Sequence, residues 1–88
     1  MGQTEFDAAA ARVKTLPATP TPDILLKLYG LFKQASEGDA TGKRPGTFDF
    51  KGRAKFDAWA ANKGMAKTAA MDAYVALVND LLKKAGRA

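Results

Sequence analysis

The chain has 88 residues and a net charge of +5, is 47% hydrophobic and 26% charged, and contains neither Cys nor His. Such a chain folds around one core, burying roughly 60–65% of the surface its unfolded form exposes. The missing residue types exclude disulfides, Cys/His zinc sites, and thiolate or Ser–His nucleophilic catalysis, while the positive charge favours an anionic partner.

Helical periodicity begins at Thr4, where Thr4 and Asp7 resemble a capping box. Phe6, Ala9, Ala10, Val13 and Leu16 follow the i, i+3, i+4, i+7 spacing, and the helix should end at Leu16, because Pro17 disfavours helical geometry in the residue before it. PATPTP is a stiff linker poor in hydrogen-bond donors. Thr21 as N-cap, Pro22 at the first position and Asp23 near the positive end of the dipole predict a second helix to Glu37. Its stripe is Leu25, Leu28, Phe32 and Ala35, and Gly38 stops it. A loop from Gly38 to Asp49 follows, longer than most connections in compact domains. Asp49 caps a third helix that ends before Gly64, with Gly52 weakening its first turn. A fourth helix starts near Met65 or Ala66 with the clearest stripe: Met71, Tyr74, Val75, Val78, Leu81 and Leu82. Lys83, Lys84 and Arg87 suit the negative end of its dipole, and Gly86 releases it. The expected class is all-α, a four-helix bundle in one domain over residues 1–88.

Glu5 and Asp7 sit where the apolar core of a secretion signal would be, and Phe6 breaks a myristoylation motif that needs Ser or Thr there. With no run long enough to span a bilayer, the expected location is cytoplasmic.

The segment from Tyr29 to Trp59 holds six of the eight aromatic residues, interleaved with Lys and Arg around the long loop. GDATGKR within it is not a phosphate-binding loop: only three residues separate the glycines, and Arg44 follows Lys43 where Ser or Thr is needed. The carboxylates are scattered and read as caps and solvated surface. Tyr29 and Lys33 lie four apart on the second helix, Lys51 and Lys55 four apart on the third, and Lys14 one turn from the end of the first. Each has an ordinary explanation: the lysines as a solvated face, Tyr29 as edge packing, and Tyr74 as core with a hydroxyl in need of a partner.

Three stretches alter that balance: LYGLFKQASEGD, then KRPGTFDFKGRAKFDAW, then KG followed by MDAY. Together they resemble the signature of the acyl-CoA-binding protein family, and the resemblance runs from Phe6-Asp7 through nearly the whole chain without an internal gap. It implies an antiparallel four-helix bundle with a long loop between helices 2 and 3. It implies binding of long-chain fatty acyl-CoA thioesters by an intracellular carrier and pool former, with no catalytic step, metal or cofactor. By position, Lys14, Tyr29, Gly30, Leu31, Phe32, Lys33, Lys51, Lys55 and Tyr74 match contacts to the CoA head group. Phe6, Ala9, Ala10, Leu25, Leu26 and Ala54 match the region of the acyl chain. The implied partners are long-chain acyl-CoA and, transiently, acyl-CoA-using enzymes or membranes; the chain would be a monomer that binds no nucleic acid. Departures are Phe32 where many members have Tyr, Phe56 where Trp is common, and Met65-Ala66 in place of a Thr-Ser cap. A basic helical domain for nucleic acid and an interaction bundle that has lost its ligand are the competing readings.

Overall fold

The computed structural model describes residues 2–86 and contains, among them, four α-helices and no strand: α1 (Gln3–Arg12), α2 (Pro22–Glu37), α3 (Phe50–Ala60) and α4 (Lys67–Lys84). A 3-10 turn over Val13–Thr15 extends α1. No helix among the described residues is long and apolar enough to cross a membrane.

α1 starts one residue before Thr4, so the expected Thr4–Asp7 box does not form. Gly2 is the N-cap, and its N–H donates to Glu5 Oε1 at 2.8 Å, while Asp7 accepts instead from the Gln3 amide at 2.9 Å. At the other end the Thr15 hydroxyl donates to the Arg12 carbonyl at 2.6 Å and the Leu16 N–H to the Val13 carbonyl at 3.4 Å. These bonds satisfy carbonyls that a helix end leaves open. Leu16 then turns extended, with ψ 137°, as a residue preceding proline must.

Thr21 caps α2 through its backbone alone: its carbonyl accepts from Leu25 N–H at 2.9 Å, and its hydroxyl makes no cap bond. Pro22 occupies the first turn as expected. The helix stops at Gly38, whose φ of 84° lies in the left-handed region that glycine enters without a Cβ clash. The expected stripe is only half covered by protein. Leu28 and Ala35 are buried, but Leu25 and Phe32 remain 42% and 39% exposed. α2 also buries a second face, Gly30, Leu31 and Gln34, because it lies between α3 and α4.

Among the described helices, α2 packs on α3 and α4, and α1 packs on α4. No Cα of α1 comes within 8 Å of α2 or α3, and none of α3 within 8 Å of α4. The core therefore sits between α1, α2 and α4, built from Phe6, Ala9, Leu28, Leu31, Ala35, Ala70, Tyr74, Val75, Val78 and Leu82. The stripe read for α4 supplies four of these; Met71 and Leu81 pack beside them half-buried. Lys83 and Lys84 fall in the last turn of α4, and Arg87 lies outside the described residues.

α3 packs along α2, and polar contacts fix its ends. Asp49 Oδ1 accepts the Gly52 N–H at 3.0 Å, the cap expected from the sequence. The Trp59 indole donates to the Gly38 carbonyl at 2.7 Å, closing the end of α2. Arg44 places its guanidinium fork on Asp57 at 2.9 and 2.7 Å, which fastens the long loop to α3. The Gln34 amide donates to Asp39 Oδ1 at 2.9 Å and to the Met65 carbonyl at 2.8 Å, and the same Asp39 oxygen takes the Gly64 N–H at 2.8 Å. This clamp joins the end of α2 to the turn between α3 and α4.

Candidate functional site

Because α1 and α2 stay apart, a groove of about 720 Å³ runs between them. Leu25, Leu28, Tyr29 and Phe32 form one wall, at the i, i+3, i+4, i+7 positions of α2. Ala10, Val13, Lys14 and Leu16 form the other, and the Ala18–Pro20 stretch of the linker closes one end. Tyr74 of α4 also lines it. The rings of Phe6, Phe32 and Tyr74 pack mutually at centroid separations of 5.3, 5.1 and 5.9 Å, bridging the two walls by side chains where the backbones do not meet.

Tyr74 is 4% exposed, and burial pushes its phenol pKa up. The hydroxyl thus stays a proton donor well past neutral pH, and it has no hydrogen-bond partner among the described residues. An aromatic residue with its body in the core and its polar end toward a groove is equipped to donate to a ligand oxygen.

Three elements carry cations in or near this region, and of these Lys14 alone lines the groove among the described residues. Lys14 lines it from the 3-10 turn. Lys55 of α3 places its ammonium 5.4 Å from the ring centroid of Tyr29, so Tyr29 faces the groove and carries a cation beside it. Lys33, one turn along α2 from Tyr29, holds its ammonium 4.7 Å from the Trp59 ring and pairs with Glu37. The Glu37 hydrogen bond raises its pKa against the opposing pull of desolvation, so it is charged at neutral pH. Lys51 is exposed on α3, one turn before Lys55.

Of the residues matched to a CoA head group, the structure brings Lys14, Tyr29, Phe32 and Tyr74 to the groove wall, with Lys55 behind Tyr29. Gly30 and Leu31 are buried away from it. A Cβ at Gly30 would stand 2.4 Å from the Ala58 carbonyl oxygen, and Leu31 belongs to the core. Of the residues matched to an acyl chain, Ala10 and Leu25 line the groove, whereas Phe6 and Ala9 are core residues. Leu26 and Ala54 are half-buried and do not line the groove; by helical spacing Leu26 shares the Gly30 face, turned to α3. The sequence reading missed Val13, Leu16, Leu28 and the linker as wall residues. Their signal was present as apolar periodicity and proline stiffness, but both read equally well as core and connection.

Among the described residues no group of three or more carboxylates could hold a metal ion. What the groove offers is an apolar trough, a flat phenol ring, an unpartnered hydroxyl donor on an otherwise buried tyrosine, and ammonium groups in or near it. That combination suits an amphipathic anion with a planar part.

Residues 3–78 match the family model described as acyl CoA binding protein. The chain is 58% identical over 81 residues to acyl-CoA-binding protein homolog 1 of Caenorhabditis elegans, covering 92% of this chain and 94% of that protein. It is 49% identical over 85 residues to an acyl-CoA-binding protein homolog of Manduca sexta, covering 96% and 94%. Its fold is similar to the crystal structure of Oryza sativa acyl-CoA-binding protein 2, with a TM-score of 0.92 and 46% identity over 96% of this chain and 93% of that one.

Proposed function

Since this chain belongs to the acyl-CoA-binding protein family, we propose that it binds long-chain fatty acyl-CoA thioesters in this groove and carries them without transforming them. The observation that carries the reading is the position of Tyr29, whose ring lines the apolar trough and lies beside the Lys55 ammonium. A CoA head group bears about four negative charges near neutral pH, its phosphomonoester having a second pKa of about 6. Lys14, Lys33 and Lys55 belong to separate elements and meet such a charge cluster from different sides. Each charge-assisted hydrogen bond to a phosphate contributes about 1.5–3 kcal/mol before the ligand's lost freedom is subtracted. Adenine packs on Tyr29, and the Tyr74 hydroxyl donates to the phosphorylated ribose. Lys33 exchanges Glu37 for phosphate, and Lys51 adds charge at the margin. The acyl chain lies along Leu25 and Ala10. At about 0.8 kcal/mol per buried methylene, a dozen methylenes contribute roughly 10 kcal/mol gross, which sets long-chain thioesters apart from free CoA. The proposal takes the whole chain as one monomeric binding unit, working in the cytoplasm and passing its ligand to acyl-CoA-using enzymes.

Calorimetric titration with palmitoyl-CoA, CoA and palmitate tests it. The expected result is tight one-to-one binding of the first, much weaker binding of the second and little of the third. Lys55→Ala and Tyr74→Phe should each weaken palmitoyl-CoA by about tenfold, one lost hydrogen bond or charge contact, with the thermal midpoint of Lys55→Ala unchanged. Equal affinity for CoA and palmitoyl-CoA, or normal binding by Lys55→Ala, would overturn the assignment.

A further inference from the structure

We propose that Glu37 is a built-in competitor for the ligand's phosphate: it occupies Lys33 in the free protein and so limits how tightly the ligand is held. The inference rests on the acyl-CoA reading of the site and adds to it a carboxylate that the family resemblance does not single out. Of the lysines assigned to the head group, Lys14, Lys51 and Lys55 have no carboxylate partner among the described residues. Lys33 has one. Its ammonium pairs with Glu37 Oε2 and lies 4.7 Å from the centre of the Trp59 ring, and Lys33 does not line the groove.

The pair is held in place from α3. Trp59 is buried, and its indole donates to the Gly38 carbonyl at 2.7 Å, one residue past Glu37, the last residue of α2. One ring therefore fixes the helix end that carries Glu37 and packs against the ammonium that Glu37 holds. Glu37 supplies the hydrogen bond that is the leading cause of the raised Lys33 pKa.

Helix stability does not account for a carboxylate at this position. Glu37 stands in the last turn of α2, where the dipole disfavours negative charge. Lysine placed four residues before glutamate is also the weaker order of such a pair. The end of α2 is closed without it, by Gly38 and the Trp59 indole. What Glu37 does is occupy a cation. A phosphate that takes Lys33 must first break the Glu37 pair, and the released carboxylate then stands one helical turn away as a like charge. Both costs fall on binding and neither on the free fold. Glu37 therefore loosens the complex, and differences of this kind show mostly in the dissociation rate. For a protein that carries its ligand and hands it on, the consequence is quicker release.

Calorimetric titration with palmitoyl-CoA tests it on four proteins: the unaltered chain, Glu37→Gln, Lys33→Ala and the double variant. Glu37→Gln should bind about two- to fivefold tighter, the worth of an exposed ion pair, and release the ligand correspondingly more slowly in stopped-flow displacement. The gain should fade as salt rises. It should largely disappear in the Lys33→Ala background, where nothing draws either anion to that place. Asp80→Asn makes the same change of charge on α4, where Asp80 pairs with Lys84, and should leave affinity unchanged. The thermal midpoint of Glu37→Gln should not fall, which separates the effect from a structural one. Equal or weaker binding by Glu37→Gln, a gain that persists undiminished without Lys33, or a matching gain from Asp80→Asn overturns this inference while the acyl-CoA reading stands. Failure of the unaltered chain to bind palmitoyl-CoA overturns that reading, and this inference with it.

Discussion

Gln34 is fully buried, and its amide has one reasonable orientation. Both neighbours of Nε2, Asp39 Oδ1 and the Met65 carbonyl, are acceptors, so turning the amide over would set oxygen against oxygen. Its Oε1 is buried without a partner. Gln34→Leu should lower the unfolding free energy by about 2 kcal/mol, because it strips the donor from two acceptors, and Gln34→Glu should cost more; urea denaturation measures both. Nothing in the periodicity of the sequence distinguished Gln34, which lies beside the apolar stripe and not on it. Leu25 and Phe32 show the converse. They were legible as apolar residues in phase with a helix, and they are, but the structure leaves them open to the groove. Hydrophobic spacing reports that something apolar covers a residue and is silent on whether that cover is a neighbouring helix or a ligand.

Helix ends were the most legible elements, because they depend on local chemistry: Pro17, Gly38 and Asp49 each act where the sequence places them. The N-terminal box of α1 and the Thr21 hydroxyl were not, since a choice between neighbouring caps is settled by fractions of a kcal/mol. The association of α3 with α2 was also hidden, for it rests on contacts distant in sequence. Gly30 is the case in point. Its missing side chain lets the Ala58 carbonyl approach, so Gly30→Ala should push α3 outward and destabilise the fold by about 1–3 kcal/mol. Asp49→Ala should cost about 1 kcal/mol through the lost cap. Thermal unfolding followed by circular dichroism ranks the two.

At the scale of the molecule, the Gln34–Asp39–Gly64 clamp gives the fold a pH dependence. The Gln34 amide first, and the Gly64 N–H second, hold the Asp39 carboxyl below the usual carboxylate range. Its folded pKa is thus lower than its unfolded one, near about 4. The stabilisation is complete above that unfolded value and is lost as pH falls through the lowered folded one. Asp39→Asn should therefore reduce the thermal midpoint near neutral pH, and the gap from the unaltered chain should close on acidification; a gap that persists in acid would contradict the clamp's electrostatic origin. The absence of backbone contact between α1 and α2 has a mechanical consequence as well. With α4 as the one described helix whose backbone it approaches, and the Phe6–Phe32 ring contact tying it to α2, α1 is the hinged flap of the assembly, and its amides should exchange with deuterium sooner than those at the centre of α4. A molecule filling the space beneath it acts as a keystone, linking the flap to α2 and slowing that exchange selectively.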